Sequence, residues 1–345
     1  MMNKFLGATL LACTLLTTTG SAFAETDFPK NLRVVIGSKS TGGDTYQNSA
    51  IVAEALGEKL GINVKVDAVG SSEAFKVLKR ISNGSTLMIF HDQAYLGYLY
   101  GQKGYDNPFE EYRIGPTVAI NPGNAYLVAK KSPYQNVEQL MQACADGKEI
   151  RVAIQPGGVS EIGYSAMKNA IKIQHPGKES CLVAVNRGSQ SDKNQAMFDG
   201  LADLINGSVQ ANEQYTRLPE DDQKAMSFVW LTARAETLEQ ANPEGMGETS
   251  RADLLEYAAP TVSVTQDGEK DFTFDKEFFF LYNKDMDQAL VDELDTALTE
   301  IFAEGKIQET QKKSFFIPNF KPSKEAESYL QDKMGQYEVI LKAIQ

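Results

Sequence analysis

A glycine-rich turn after the first apolar segment of the chain carries residues suited to binding an anion. The apolar run 34–36 leads into residues 37–43, which comprise three glycines, two serines, a threonine and a lysine, and a helical pattern then runs from residue 50 to residue 60. Backbone N–H groups and the positive end of a helix dipole meet in such a turn. Gly43 and Asp44 stand where a phosphate-binding loop requires lysine and a hydroxyl residue, so we predict anion binding without nucleotide hydrolysis.

A second turn of similar composition, residues 155–161, contains a serine that could act as a nucleophile. It approaches the G-x-S-x-G pattern of serine hydrolases, but the final glycine is displaced to Gly163, and the chain has only two histidines to serve as a base. Ser165 begins an S-x-x-K match that lacks the accompanying S-D-N and K-T-G motifs. These departures favour binding, and a secreted serine hydrolase that uses Ser160 or Ser165 is kept as an alternative.

The N-terminus has the three parts of a secretory signal. Lys4 precedes the apolar stretch 5–16, which is too short to span a bilayer comfortably, and Ala-Phe-Ala at 22–24 forms a small-x-small cleavage site. We predict cleavage after Ala24 and export to the periplasm. A lipoprotein signal at Cys13 is disfavoured, because the apolar stretch continues past that cysteine.

Charge and cysteine content exclude several classes of protein. The net charge of −12 argues against a nucleic-acid partner, which would require a basic face. Histidines and cysteines are few and not at ligand spacing, so we predict neither a metal site nor a cofactor. Export would remove Cys13 and leave Cys144 and Cys181, which either form a disulfide or remain two separate buried thiols.

Strands alternate with helices in the first third of the chain. Strand 63–67, a helix from about residue 72 to 81 and strand 86–90 follow the first turn. This alternation predicts an α/β protein with an open parallel sheet, in which ligands bind beyond the carboxyl ends of the strands. Both the first turn and His91-Asp92-Gln93 are expected there.

The middle of the chain repeats this design. Two extended runs, 112–120 and 125–129, could cross between lobes, and the turn 155–161 then lies between strand 150–154 and helix 162–173. Two similar turns suggest two similar lobes that face each other across a cleft. We expect long surface connections in 236–271, a buried strand at 278–282, and helices at 288–302 and 324–344 that pack back on the first lobe.

Several short segments occur in an order that resembles one known family. They are Phe-Pro-Lys at 28–30, Gly-Gly-Asp-Thr-Tyr at 42–46, Asn-Gly-Ser-Thr-Leu at 83–87, Pro-Gly-Gly at 156–158, Arg-Gly at 187–188 and Ala-Met-Phe-Asp-Gly-Leu-Ala-Asp at 196–203. Their order is similar to that of the extracytoplasmic solute receptors of tripartite tricarboxylate transporters, often called Bug receptors. The resemblance covers nearly the whole exported chain.

The resemblance implies an α/β, two-lobed periplasmic-binding-protein-like fold with a ligand cleft between the lobes. It implies a signal peptide at 1–24, the first part of lobe 1 at 25–122, lobe 2 at 123–250, and a return to lobe 1 with the C-terminal helices at 251–345. In the family the two glycine turns grip a carboxylate largely through backbone N–H groups, small hydroxyls and water. The implied ligand-binding residues are Ser40, Thr41, Gly42, Gly43, Asp44, Thr45, His91, Asp92, Gln93, Gln155, Gly157, Gly158, Val159, Ser160, Arg187, Gly188 and Ser189.

The implied function is a receptor that captures a small organic carboxylate and delivers it to integral membrane transporter subunits. Neither catalysis nor a cofactor is expected, and the family expectation is a monomer. A receptor for another system, such as an ABC importer or a sensor kinase, is the alternative. The first turn departs from the family by carrying Lys39-Ser40-Thr41, which puts the ligand in question, and Arg187 is the better candidate for bidentate carboxylate contact because its guanidinium is planar.

Overall fold

The computed structural model describes residues 28–258 and 262–344, so the predicted signal peptide at 1–24 lies outside the described residues. The strands are β1 (Asn31–Ile36), β2 (Asn63–Ala68), β3 (Thr86–His91), β4 (Tyr112–Asn121), β5 (Ala125–Ala129), β6 (Ile150–Ile154), β7 (Leu182–Asn186), β8 (Leu204–Gly207), β9 (Met226–Leu231), β10 (Lys276–Asn283) and β11 (Ile317–Lys321).

The helices alternate with these strands through most of the chain. They are α1 (Asp44–Leu60), α2 (Ser71–Arg80), α3 (Gln93–Leu99), α4 (Pro108–Glu111), α5 (Val137–Ala145), α6 (Ile162–Gln174), α7 (Gln190–Phe198), α8 (Val209–Thr216), α9 (Ala235–Leu238), α10 (Arg251–Ala258), α11 (Gln288–Glu304), α12 (Lys306–Lys313) and α13 (Ser323–Ile344). Among the described residues, no helix combines the length and the apolar character that crossing a membrane requires.

The first sheet is mixed, where the sequence predicts a parallel one. Its strand order is β11-β4-β10-β3-β1-β2, and β1 pairs in parallel with β2 and β3. β10 pairs antiparallel with both β3 and β4, and β11 pairs antiparallel with β4. Residues 278–282 of β10 are fully buried, as expected for an apolar run covered on both faces. The predicted buried strand at 278–282 is therefore confirmed, in the interior of this sheet.

The second sheet repeats the arrangement with the strand order β7-β6-β8-β5-β9. β6 pairs in parallel with β7 and β8, while β5 pairs antiparallel with β8 and β9. Each sheet thus has a parallel part, built from strand–helix units, and antiparallel strands beside it. The two sheets and their helices form the two lobes of an α/β fold.

Between the described strands, the chain passes from one sheet to the other twice. Residues 122–124 connect β4 of the first sheet to β5 of the second, and Gly123 is required there because it has a φ of +69° and a Cβ would meet the backbone nitrogen of Ala233 at 2.4 Å. The return leads into β10. Leu238 and Leu254, from α9 and α10, still pack in the core of the second lobe. This differs from the predicted boundary at 250, since residues 251–258 lie with the second lobe.

The C-terminal helices divide between the lobes. α11, which corresponds to the predicted helix 288–302, packs on α1 of the first lobe as expected, and α12, which the sequence analysis does not predict, packs on α1 as well. α13 instead contacts β4 and α3 of the first lobe and α6 of the second. The Lys172 ammonium of α6 donates to the carbonyl of Ala343 near the end of α13. This helix therefore connects the two lobes along its length.

A disulfide lies in the second lobe. Cys144 of α5 is joined to Cys181, directly before β7, with their Cα atoms 5.3 Å apart. The sequence leaves open either a disulfide or two separate thiols for these cysteines, and the structure has the disulfide. It ties a helix to the edge strand of the sheet.

Candidate functional site

A cavity of about 770 Å³ lies between the lobes, at the carboxyl ends of the parallel strands. Residues of both predicted turns line it. The first turn follows β1 and leads into α1, and the second follows β6 and leads into α6. The predicted residues that line it are Ser40, Gly42, Gly43, Asp44, Thr45, His91, Gln93, Gln155, Gly157, Val159, Ser160, Gly188 and Ser189. The structure brings these side chains and turns together around one space.

Four of the predicted residues do not line this cavity. Thr41 is exposed on the first turn, and Gly158 packs against the side chain of Gln93. Arg187 turns its guanidinium back to donate to the carbonyl of Asn186 at 2.8 Å. Its planar fork is therefore not presented to the cleft in this structure.

Asp92 is the fourth, and it lies in a buried polar cluster behind the cleft. Its carboxylate accepts from the Tyr95 hydroxyl, from the Lys333 ammonium at 2.6 Å and from the backbone N–H of Glu277 at 2.5 Å. Burial raises the pKa of Glu277 to about 7, although the Lys333 charge opposes this rise. Asp92 is thus a structural anion at the junction of β3, β10 and α13.

The first-lobe wall of the cavity carries an ion pair. The Asp44 carboxylate accepts from the Lys276 ammonium and from the Asn121 side chain at 2.7 Å. It also accepts from the backbone N–H of Thr45 at 2.7 Å. Burial alone would raise the pKa of Asp44, but Lys276 and His91 lower it to about 2. The carboxylate of Asp44, one of the residues predicted to bind the ligand, is therefore already paired with Lys276.

His91 presents a neutral imidazole to the same wall. Its ring lies beside Phe90 and Phe278, with centroid separations of 4.6 and 5.6 Å. Burial, followed by the nearby Lys276 charge, lowers the pKa of His91 to about 3. Its Nδ1 accepts from the backbone N–H of Gln93 at 3.2 Å, which leaves the proton on Nε2. His91 can therefore donate one neutral hydrogen bond but carries no charge at pH 7.

Gln93 bridges the lobes across one edge of the cavity. Its side-chain amide donates to the carbonyl of Gly157 at 2.8 Å and accepts from the backbone N–H of Val159 at 3.0 Å. Glycine is needed opposite it, since a Cβ on Gly158 would lie 2.0 Å from the Gln93 amide oxygen. The first lobe thus holds the turn of the second lobe by two hydrogen bonds.

Several N–H groups of the second turn have partners within the protein. The N–H of Gln155 donates to the Ser160 hydroxyl at 2.9 Å, and the N–H of Gly157 donates to the Glu161 carboxylate at 2.6 Å. The N–H of Val159 is held by Gln93. A backbone-only clamp on a carboxylate would therefore require some of these hydrogen bonds to exchange.

The second-lobe wall carries a lysine that the sequence analysis missed. Lys193 of α7 is only 4% exposed, and its ammonium donates to the Asn206 side-chain oxygen at 2.7 Å and to the Ser160 hydroxyl at 3.1 Å. The Ser160 hydroxyl donates to the same Asn206 oxygen at 2.7 Å. Burial, with a smaller effect from Lys276, lowers the pKa of Lys193 to about 7.

A signal for Lys193 was present in the sequence. It precedes Ala196 and Met197 by three and four positions, and both of these are buried, so all three lie on one face of α7. No comparable signal marks Lys276, which stands just before the apolar run of β10. Other lining residues outside the prediction include Gln47, Asn124, Asn206, Ser208 and Gln210.

The chemistry of this site is that of polar recognition. Lys193 supplies positive charge, Lys276 is paired with Asp44, His91 is a neutral donor, and serines and amides supply hydrogen bonds. Within residues 28–258 and 262–344, no group of three His, Cys, Asp or Glu side chains gathers in a metal-binding arrangement. The site can hold a polar, negatively charged molecule of modest size.

Comparison with known proteins finds similarity in structure and none in sequence. No family model matches the chain, and no curated protein matches it. Among solved structures, an R. palustris protein with adipate is 15% identical, with a TM-score of 0.67 over 92% of this chain and 98% of its own. MatC from Rhodopseudomonas palustris, with bound malate, is 13% identical, with a TM-score of 0.64 over 91% and 100%. The periplasmic binding protein BugD is 16% identical, with a TM-score of 0.63 over 91% and 98%.

The chain has the fold of periplasmic binding proteins. These similarities extend over nine-tenths of the sequence, so both lobes take part in the match. The two-lobed α/β architecture predicted from the sequence is therefore confirmed. In this periplasmic binding-protein fold, the cavity between the lobes is the natural place for a ligand.

Proposed function

We propose that this protein is a periplasmic receptor that captures a small organic carboxylate between its lobes and delivers it to a tripartite tricarboxylate-type membrane transporter. The observation that carries the proposal is the cavity of about 770 Å³ between the lobes, with a buried lysine on its second-lobe wall. An anionic ligand compensates such a charge, whereas a sugar or a cation does not.

The comparisons support the chemical class of the ligand. Two of the similar structures are described with malate and with adipate, both small dicarboxylates. BugD and a TctC solute-binding protein from Polaromonas are also among the similar structures. Delivery to membrane subunits, a periplasmic location and cleavage after Ala24 follow from this proposal.

A thermal-shift screen tests the proposal. We expect malate, adipate or citrate to raise the melting temperature of the purified protein, with no change in the acid after prolonged incubation. Stabilisation by sugars or amines, with no stabilisation by any acid, would contradict it. The reading frames beside the gene test the transport partner: large and small membrane subunits favour a tripartite system, and an ATPase or a histidine kinase favours the alternatives.

One observation favours a second candidate, a serine hydrolase. The Ser160 hydroxyl lies 3.1 Å from the ammonium of Lys193, a separation compatible with a serine–lysine pair. However, the Ser160 hydroxyl donates its proton to Asn206, and the N–H groups of Gly157 and Val159, which could have stabilised an oxyanion, already have partners. Ser165, the other candidate nucleophile, is buried, and its hydroxyl is hydrogen-bonded to the Tyr100 hydroxyl at 2.9 Å.

Labelling with a serine-reactive fluorophosphonate separates the two functions. The receptor predicts no label on the purified protein, and the matched variant Ser160→Ala should behave identically with the probe. Stoichiometric label that disappears in Ser160→Ala would establish the hydrolase instead.

A further inference from the structure

Lys193 is the most deeply buried charge on the wall of the cavity. Its residue is 4% exposed, while Lys39 on the first turn is exposed and Lys276 is neutralised by Asp44. Lys193 lies four positions after the N-cap Ser189, in the first turns of α7, with its ammonium directed toward β8 and the second glycine turn. The side chain is thus fixed by packing rather than free to reach solvent.

The partners of Lys193 are neutral. The Asn206 amide oxygen and the Ser160 hydroxyl accept two of the three ammonium hydrogens, at 2.7 and 3.1 Å. In the described part of the chain, no carboxylate lies within 4.0 Å of this ammonium. A buried cation that lacks a counter-charge is costly, and proteins retain such a group mainly where a ligand or a reaction uses it.

We propose that Lys193 is the charged contact for an anionic group of the ligand on the second-lobe wall of the cavity. This inference rests on the proposed receptor function and adds to it the residue that selects an anion. The hydroxyls of Ser189 and Ser208, which cap α7 and α8, lie on the same wall. An anionic group beside Lys193 would therefore also meet the positive ends of two helices.

The environment of Lys193 makes anion binding dependent on pH. Lys276 of the first lobe faces Lys193 and disfavours its protonated form. Asp44 of the same lobe is paired with Lys276. The elements packed against it from the second lobe present neutral Ser160, Asn206 and Ser208, while Asp192 on its own helix is exposed. Because burial lowers the pKa of Lys193 to about 7, the ammonium is largely deprotonated at pH 8.5 without an anion. An anion beside it should restore the proton.

The decisive variant is Lys193→Met, which keeps the length of the side chain and removes its charge. Isothermal titration with acetate, malate, adipate and citrate should show a loss of about 10- to 100-fold in affinity for whichever acid binds the wild-type protein most tightly. At pH 8.5 that acid should be bound by the wild-type protein with uptake of nearly one proton, measured by comparing HEPES and Tris buffers. Lys193→Met should bind without proton uptake.

Lys131→Met is the matched control, because Lys131 is an exposed lysine of the second lobe that lies outside the cavity. It should leave affinity and proton uptake unchanged. Equal acid affinity in wild-type protein and Lys193→Met would overturn the role of Lys193 and leave the receptor function standing. Binding of sugars or amines in place of every acid would overturn the receptor function, and with it this inference.

A measurement without any acid gives an independent readout. The folded-state pKa of Lys193 is lowered below the unfolded value, so the wild-type protein should gain stability as the pH rises from 7 to 10. Lys193→Met lacks this gain. The melting temperature of the variant minus that of the wild-type protein should therefore decrease as the pH rises from 7 to 10. A difference that does not change with pH would show that Lys193 carries no uncompensated charge.

Discussion

The two walls of the cavity hold their lysines in opposite ways. On the first-lobe wall, Lys276 meets the Asp44 carboxylate, and the neighbouring His91 is neutral. On the second-lobe wall, the partners of Lys193 among the described residues are a hydroxyl and an amide oxygen. The ion pair of the first wall is balanced within the protein, whereas no carboxylate in the described part of the chain is paired with Lys193 on the second.

This difference suggests that the two walls recognise different properties of a ligand, the first its shape and the second its charge. The first wall can supply neutral hydrogen bonds and a defined outline, since Asp44 and Lys276 are paired with each other. The second wall retains an attraction for any anion of suitable size. Three variants, two single and one double, alter this contrast in different ways.

Asp44→Asn should have the largest effect, because it gives the first wall the same imbalance as the second. It leaves Lys276 without its counter-ion, and we expect the free energy of unfolding to fall by about 3 kcal/mol. The freed ammonium should also raise the affinity for dicarboxylates by about fivefold. Chemical denaturation and titration calorimetry measure the two effects.

The matched control is Asp285→Asn, since Asp285 is an exposed carboxylate away from the cavity. It should change neither stability nor affinity. If Asp44→Asn leaves the stability as it was, the pair with Lys276 is not what balances the first wall.

Gln93→Ala should have the next largest effect, because it cuts the connection between the walls. Two hydrogen bonds, to the Gly157 carbonyl and from the Val159 N–H, are lost. At about 1 kcal/mol each, their loss shifts the balance between closed and open lobes by roughly thirtyfold. Small-angle X-ray scattering should show a larger radius of gyration for the variant.

Gln102→Ala provides the comparison, since Gln102 packs against the same Gly157, and no hydrogen bond of its side chain to the second lobe is found in the described part of the chain. It should scatter like the wild-type protein. Identical scattering from both variants would mean that Gln93 does not hold the lobes together.

The double variant Asp44→Asn with Lys276→Met should have the smallest effect. It removes both charges of the Asp44–Lys276 pair, so that neither partner is left without its counter-charge. We expect it to recover most of the stability lost in Asp44→Asn alone and to retain acid affinity within about threefold of the wild-type protein. Denaturation of the two variants side by side measures the recovery, and a double variant no more stable than the single one would refute the pairing.

The strand, turn and helix units were largely predictable from the sequence. Apolar periodicity located β1, β3, β6 and β10, and glycine turns located the ends of the strands where the cavity lies. These are local signals, carried by residues close together in the chain. The antiparallel pairing of β10 was not predicted, because it depends on where the chain returns from the second lobe.

The charges of the cavity were harder to predict because they depend on contacts distant in sequence. Lys276 is 232 residues from Asp44, and no local pattern announces that pair. Lys193 was identifiable by its place on the buried face of α7, but a lysine side chain is ordinarily expected to be exposed to solvent. The planar guanidinium of Arg187 was better suited to a carboxylate, yet it donates a hydrogen bond to the backbone carbonyl of the preceding residue, Asn186. Residue type alone did not indicate which cation faces the cavity.

One titration tests the contrast between the walls most directly. The acid that binds the wild-type protein most tightly among malate, adipate and citrate is titrated into Lys193→Met and into the double variant Asp44→Asn with Lys276→Met, under the same buffer and salt. We predict a loss of tenfold or more in Lys193→Met and of threefold or less in the double variant. Equal losses in the two proteins, or a greater loss in the double variant, would contradict the assignment of anion selection to the second wall.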